Sequence, residues 1–214
     1  MTFGRVARAL LTTTCVIGMT GGLGASAASA GAAERPLPPA SPEQARAEAI
    51  AQQTANDADA EFVSMMIPHH FQALVMSEMA PERSNDQELL TLADRIDAEQ
   101  DIEISMMQSW QGWRDLEVTD AEEAYQEILQ DPEMLEQMGM ATPEELDEMS
   151  GSTGTAFDVQ YLELMIEHHE GAIHMLVDVI TNGNDATLEG WATDMLTTQQ
   201  TQIRQMEAML EAKS

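Results

Sequence analysis

Met66-Ile67-Pro68-His69-His70-Phe71-Gln72-Ala73-Leu74-Val75-Met76 and Met165-Ile166-Glu167-His168-His169-Glu170-Gly171-Ala172-Ile173-His174-Met175 together hold all five histidines of this chain. The two stretches match in register at an offset of ninety-nine residues. Around the first, Phe62, Met66, His69, Ala73 and Met76 are spaced four, three, four and three apart, the a/d seam of a helix that faces a partner helix. Tyr161, Met165, His168, Ala172 and Met175 repeat that seam. Extended without a gap, residues 59–107 and 158–206 agree at fourteen of forty-nine positions, enough to read them as a duplicated helical hairpin. Two such hairpins make a four-helix bundle, so the expected fold class is all-α.

The rest of the chain takes its boundaries from this repeat. The first long helix is expected over about 57–80, with a break at Pro81 to Asn85 and Ser84 as the next cap. A return helix over about 86–111 presents Leu89, Ala93, Ile96, Gln100, Glu103/Ile104 and Met107. In the second hairpin the turn falls at Asn182-Gly183-Asn184-Asp185, and Leu188, Ala192, Met195, Gln199, Ile203 and Met206 form the return seam. Repeat one thus spans 57–111, an acidic connection 112–156 and repeat two 157–210, all within a single domain over 41–214. Ser41-Pro42-Glu43-Gln44 predicts a further helix over about 42–55, and residues 31–40 read as a flexible leader. In the connection, Asp131-Pro132 and Thr142-Pro143 each start a short helix. Met134, Met138, Met140 and Met149 are expected to pack it onto the bundle, because methionine fills irregular gaps.

Residues 1–30 have the form of a secretory signal peptide: Arg5 and Arg8, an apolar run from Ala9 to Met19, then small residues with A-x-A signals ending at Ala27 and Ala30. The expected destination is secretion or the cell envelope. The only cysteine, Cys15, lies in that run, so a chain cleaved after Ala30 has neither disulfide nor thiolate. Any metal site in it must draw on histidine, methionine, carboxylates or backbone. A formal net charge of −29 makes nucleic acid and anionic membranes poor partners.

Neighbouring helical residues diverge by about 100°, so His69 and His70 do not chelate one ion as a pair. Met66 precedes His69 by three residues and His70 by four, and Met165 stands likewise to His168 and His169. The geometric expectation is an interior or cleft site built from His69, His168, Met66 and Met165. His70 and His169 are expected at its flank, near a second helix or solvent. Such a ligand set suits Cu(I), with Cu(II) held through the imidazoles. Proton competition at the rings is then expected near and below pH ~6.5. No Glu-x-x-His occurs, which argues against a di-iron oxidase. The rival explanation is structural, with Gln100 and Gln199 satisfying buried rings and the methionines only packing. His174 has Val75 as its mate and is expected to make a surface contact with Glu170. Pro68 is expected to bend the first helix.

The doubled motif, Phe62-x3-Met66-Ile67-Pro68-His69-His70-x2-Ala73-x2-Met76 and Tyr161-x3-Met165-Ile166-Glu167-His168-His169-Glu170-Gly171-Ala172, closely resembles domain-of-unknown-function family 305 over about residues 57–210. That resemblance implies a ferritin-like four-helix bundle from a family of secreted and periplasmic proteins, some of which bind copper and are linked to copper tolerance. It makes His69, His70, His168, His169, Met66, Met165, Met76 and Met175 the candidate metal ligands. Two departures stand out: Phe71-Gln72 replaces the Glu-Gly of the second copy, and the connection is acidic. The resulting expectation is an exported protein that sequesters or traffics copper, as Cu(I) and Cu(II), with the metal ion as its partner and no membrane insertion. The alternatives are a ferritin-like metal-dependent oxidase or redox enzyme, and a metal-free structural or adaptor bundle.

Overall fold

Short polar side chains start nearly every helix of the computed structural model, which describes residues 55–213. Helix α1 (Asp57–Ser77) opens with a capping box between Asn56 and Asp59. A single turn, α2 (Ala80–Arg83), leads to α3 (Gln87–Trp113), where Asp86 accepts from the N–H groups of Glu88 and Leu89. Three short helices follow: α4 (Ala121–Ile128) behind Asp120, α5 (Pro132–Met138) behind Asp131, and α6 (Pro143–Gly151) behind Thr142. Helix α7 (Thr155–Asn182) and α8 (Ala186–Glu211), the latter capped by Asp185, complete the second hairpin. The fold is an all-helical, ferritin-like four-helix bundle of α1, α3, α7 and α8, with no strand among the described residues. The expected signal peptide and leader, and nearly all of the helix expected over 42–55, lie outside those residues.

Several local expectations change. The first long helix ends at Ser77, and Pro81 sits in the first turn of α2. Asp86, two residues beyond Ser84, caps α3; the Ser84 hydroxyl donates to Asp158 at 2.5 Å and accepts from the Asp86 N–H at 3.0 Å. The connection also gains α4, whose start at Asp120 lacks the proline that marks the other two short helices.

The bundle core is two apolar clusters, and a third, smaller one around Tyr125, Leu135, Met138 and Met140 packs the connection onto it. Of the first two, one joins Ala73 and Met76 of α1 to Phe157, Tyr161 and Met165 of α7. The other joins Phe62 and Met66 of α1 to Ala172 and Leu176 of α7. The early part of each helix therefore packs on the late part of the other, so α1 and α7 run antiparallel and cross where the histidines lie. Helices α3 and α8 cover the same two clusters in opposite order, through Leu89 and Met107 in one and Leu188 and Met206 in the other.

Four acidic residues clasp the hairpins together. Asp59 is fully buried and accepts from the N–H of Asn184 at 3.0 Å and of Asp185 at 3.1 Å. Asp158, ninety-nine residues on, takes the Ser84 hydroxyl and Lys213 Nζ, the latter at 3.0 Å. The two cap aspartates each bind a cation from the end of the other return helix: Asp86 binds Lys213, and Asp185 binds Arg114.

Candidate metal centre

Where α1 crosses α7, His69, His70, His168 and His169 form one layer, and none of the four has solvent exposure. The rings of His69 and His168 stack with centroids 3.7 Å apart and planes tilted by 32°. His70 and His169 stand to either side, 6.3 Å and 6.0 Å from their chain neighbours. The seam rings thus meet at the bundle axis, while the flanking rings turn toward α3 and α8 and away from solvent.

Each ring spends its Nε2 on an oxygen. His69 donates to the Met138 carbonyl at 3.0 Å, and His168 to the His69 carbonyl at 2.9 Å. His70 donates to the Glu103 carboxylate at 2.8 Å, and His169 to the Gln202 amide oxygen at 2.7 Å. Gln202 in turn donates to Glu99 at 2.7 Å, which orients its amide. A carbonyl or carboxylate oxygen can only accept, so every Nε2 carries a proton, and in His69, His168 and His169, which burial keeps neutral, Nδ1 presents a bare lone pair. All four Nδ1 atoms are buried without a partner. This is the state in which histidine binds metal, with its second nitrogen anchored to a carbonyl or carboxylate.

Burial holds three of these rings, His69, His168 and His169, neutral. It lowers His69 to about 3, with the charge of His70 opposing protonation further. His169 falls to about 4 for the same primary reason, and His168 is pushed well below the usual imidazole range by burial and then by His69. The expected loss of free imidazole near pH 6.5 is therefore corrected downward for these three. Glu99 shifts the other way, since burial raises its carboxyl.

Gln100 and Gln199 do not satisfy the rings. The Gln100 Oε1 and both amide atoms of Gln199 are buried without hydrogen-bond partners. The residues that anchor the flanking rings are Glu103 and Gln202, each thirty-three positions after its histidine and themselves ninety-nine apart. That spacing was present in the sequence, but the change from carboxylate to amide concealed it.

The connection closes over the layer through two adjacent positions, 71/170 and 72/171, at which the motif copies differ. Gln72 makes paired hydrogen bonds with the backbone of Ala141, at 2.8 Å to its oxygen and 2.7 Å from its nitrogen. Phe71 packs on Tyr125 of α4 with centroids 5.5 Å apart. On the other side Gly171 lies directly against Met138 and Gly139, where no Cβ fits. The Met138 carbonyl is thereby brought to His69.

Of the candidate thioethers, Met66, Met165 and Met76 are fully buried in the apolar clusters above and below the layer. Met175 is only partly buried and packs beside the connection; Leu176 takes the inner position on α7. His174 is exposed beside Glu170 in a shallow groove, with no ion pair between them. Among the described residues no three His, Cys, Asp or Glu side chains are gathered as a finished cation cage. The layer instead offers four buried, partnerless imidazole nitrogens with buried thioethers one helical turn away.

The sequence profile of the family described as domain of unknown function (DUF305) matches residues 59–210, which include both histidine pairs. The chain belongs to the DUF305 family. A DUF305 structure from Streptomyces coelicolor, described as a candidate secreted protein, shares 29% identity at a TM-score of 0.64, covering 73% of this chain and 93% of its own. A DUF305 fragment from Deinococcus radiodurans shares 28% identity at a TM-score of 0.66, covering 74% and 98%. CopM in its Cu(I)-bound form shares 28% identity at a TM-score of 0.57, covering 72% and 96%, and CopM structures with Cu(II) and with Ag are also similar. No curated protein matches the chain. Among its described residues no helix is long and apolar enough to cross a membrane.

Proposed function

We propose that this DUF305 protein is an exported copper binder that sequesters or hands on the ion through its buried histidine layer. The observation that carries the reading is the set of four partnerless Nδ1 atoms, each on a ring whose Nε2 is already anchored. Leaving so many buried acceptors unsatisfied costs about 1–3 kcal/mol each, a cost that ligation would remove. Imidazole and thioether donors without thiolate suit copper in both oxidation states. The likeness to CopM, which is known bound to Cu(I) and Cu(II), points the same way. His69 and His168 would hold the ion at the crossing, with Met66 and Met165 as soft donors from the preceding turn. His70 and His169 would supply the flanking imidazoles, while Glu103 is the partly exposed group that links the layer to solvent. The signal-like residues 1–30 support export, and the hairpin duplication explains why the donors come in matched pairs.

The test is metal analysis with Cu(I) and Cu(II) titration of the protein and its His69→Gln/His168→Gln variant. Glutamine retains an N–H for the facing carbonyls but removes the imidazole lone pair. The expected result is loss of at least one bound equivalent in a variant whose circular dichroism stays helical. Unchanged stoichiometry for both ions would remove this layer as the site.

A further inference from the structure

On the outer face of the bundle, between α1, α5 and α7, lies a groove of about 250 Å3. Four of its ten lining residues are methionines: Met65, Met134, Met138 and Met175. His174, the histidine without a mate in the first motif, stands at the same groove and is exposed. Methionine packs such an irregular groove well, and here its packing also sets four sulfurs beside an imidazole. These methionines come from three separate helices and pack in the same small apolar cluster, so the fold gathers them. Glu61 and Asp178, both exposed, set negative charge at the rim.

We propose that this groove is a second, outer site for a soft monovalent metal ion, ligated by thioethers of Met65, Met134, Met138 and Met175 together with His174. It rests on the copper reading of the protein and adds to it a solvent-facing position. Neutral thioethers select a soft, singly charged ion over zinc or magnesium. Met138 belongs to both places: its side chain lines the groove, and its carbonyl accepts the His69 N–H. An ion captured outside therefore sits one residue from the buried layer, on the segment that covers it.

Ag(I) is the probe, since it has the charge and softness of Cu(I) without its redox chemistry. It is titrated into the full chain carrying 13C-methyl methionine. The four groove methyl resonances should move together and saturate at one equivalent. Met134→Leu/Met175→Leu/His174→Ala keeps the apolar volume and should weaken that equivalent at least tenfold. Groove methyls that stay still while the protein saturates, or a triple variant with unchanged affinity, would overturn the outer site. The same titration of His69→Gln/His168→Gln separates the two readings. Groove shifts that persist while Cu(II) fails to bind even the unaltered protein would keep the outer site and reject the buried one. Cu(II) bound at the histidines without groove shifts would do the reverse.

Discussion

At Gly171 there is no room for one more carbon: an added Cβ would lie 1.8 Å from the Met138 carbonyl oxygen and 2.4 Å from its carbon. Both are backbone atoms, so no side-chain rotation relieves the clash. Gly171→Ala should lift the connection from α7 and take the Met138 carbonyl from His69. The expected cost is about 1–3 kcal/mol from overpacking, with faster proteolysis within 112–156. Gly190 is the counter-case, exposed in α8 with nothing within 4 Å of an added Cβ. Gly190→Ala should stabilise by roughly 0.5–1 kcal/mol through the unfolded chain. Urea unfolding of the two variants reads both signs, and a neutral Gly171→Ala would show that the connection does not press on the helix. Gly171 was legible in the sequence only as a departure between motif copies. Its purpose depends on a segment thirty residues away in the chain.

Among helices, the offset of ninety-nine residues marks more than the motif. Asp59 and Asp158 were visible as a matched pair, but nothing in their neighbourhoods shows that each reaches the turn of the opposite hairpin. Arg114 and Lys213 keep the offset too, with their common charge masked by a change of residue type and both lying past the aligned stretch. The helices themselves were legible because their seams repeat; the long-range clasps were not, since one aspartate caps, pairs or bridges with the same side chain. Asp59→Ala would leave the N–H groups of Asn184 and Asp185 without their acceptor inside the fold. The expected loss is about 1–3 kcal/mol, from the buried Asp185 N–H left unsatisfied, since Asn184 is exposed and water can replace its acceptor. Hydrogen exchange should accelerate at Asn184 and Asp185 in particular. A loss below about 0.5 kcal/mol, with exchange unchanged, would mean that the turn holds without Asp59.

For the whole molecule, two electrostatic effects of opposite sign meet as the solution is acidified. The chain carries a formal net charge of −29, and protonating surface carboxylates relieves that repulsion. The histidine layer acts against this, because it divides the apolar core with rings that the fold keeps neutral. Its existence was legible from histidines on a seam; its full burial and its anchoring through Nε2 required the neighbouring helices and the connection to be in place. His69 falls from 6.5 to about 3 and His169 to about 4 in the folded protein. Between those values and 6.5 the unfolded chain binds more protons, so acid favours unfolding. Each of the two rings then removes about 2 kcal/mol of stability between pH 7 and pH 5, and nothing above pH ~7. His69→Gln leaves the surface charge intact and takes one ring out of this titration. In metal-free protein, urea unfolding should show the variant losing about 2 kcal/mol less than the unaltered chain from pH 7 to pH 5. Parallel profiles would mean that His69 protonates at its ordinary pKa within the fold, and hence that water reaches the layer before any metal does.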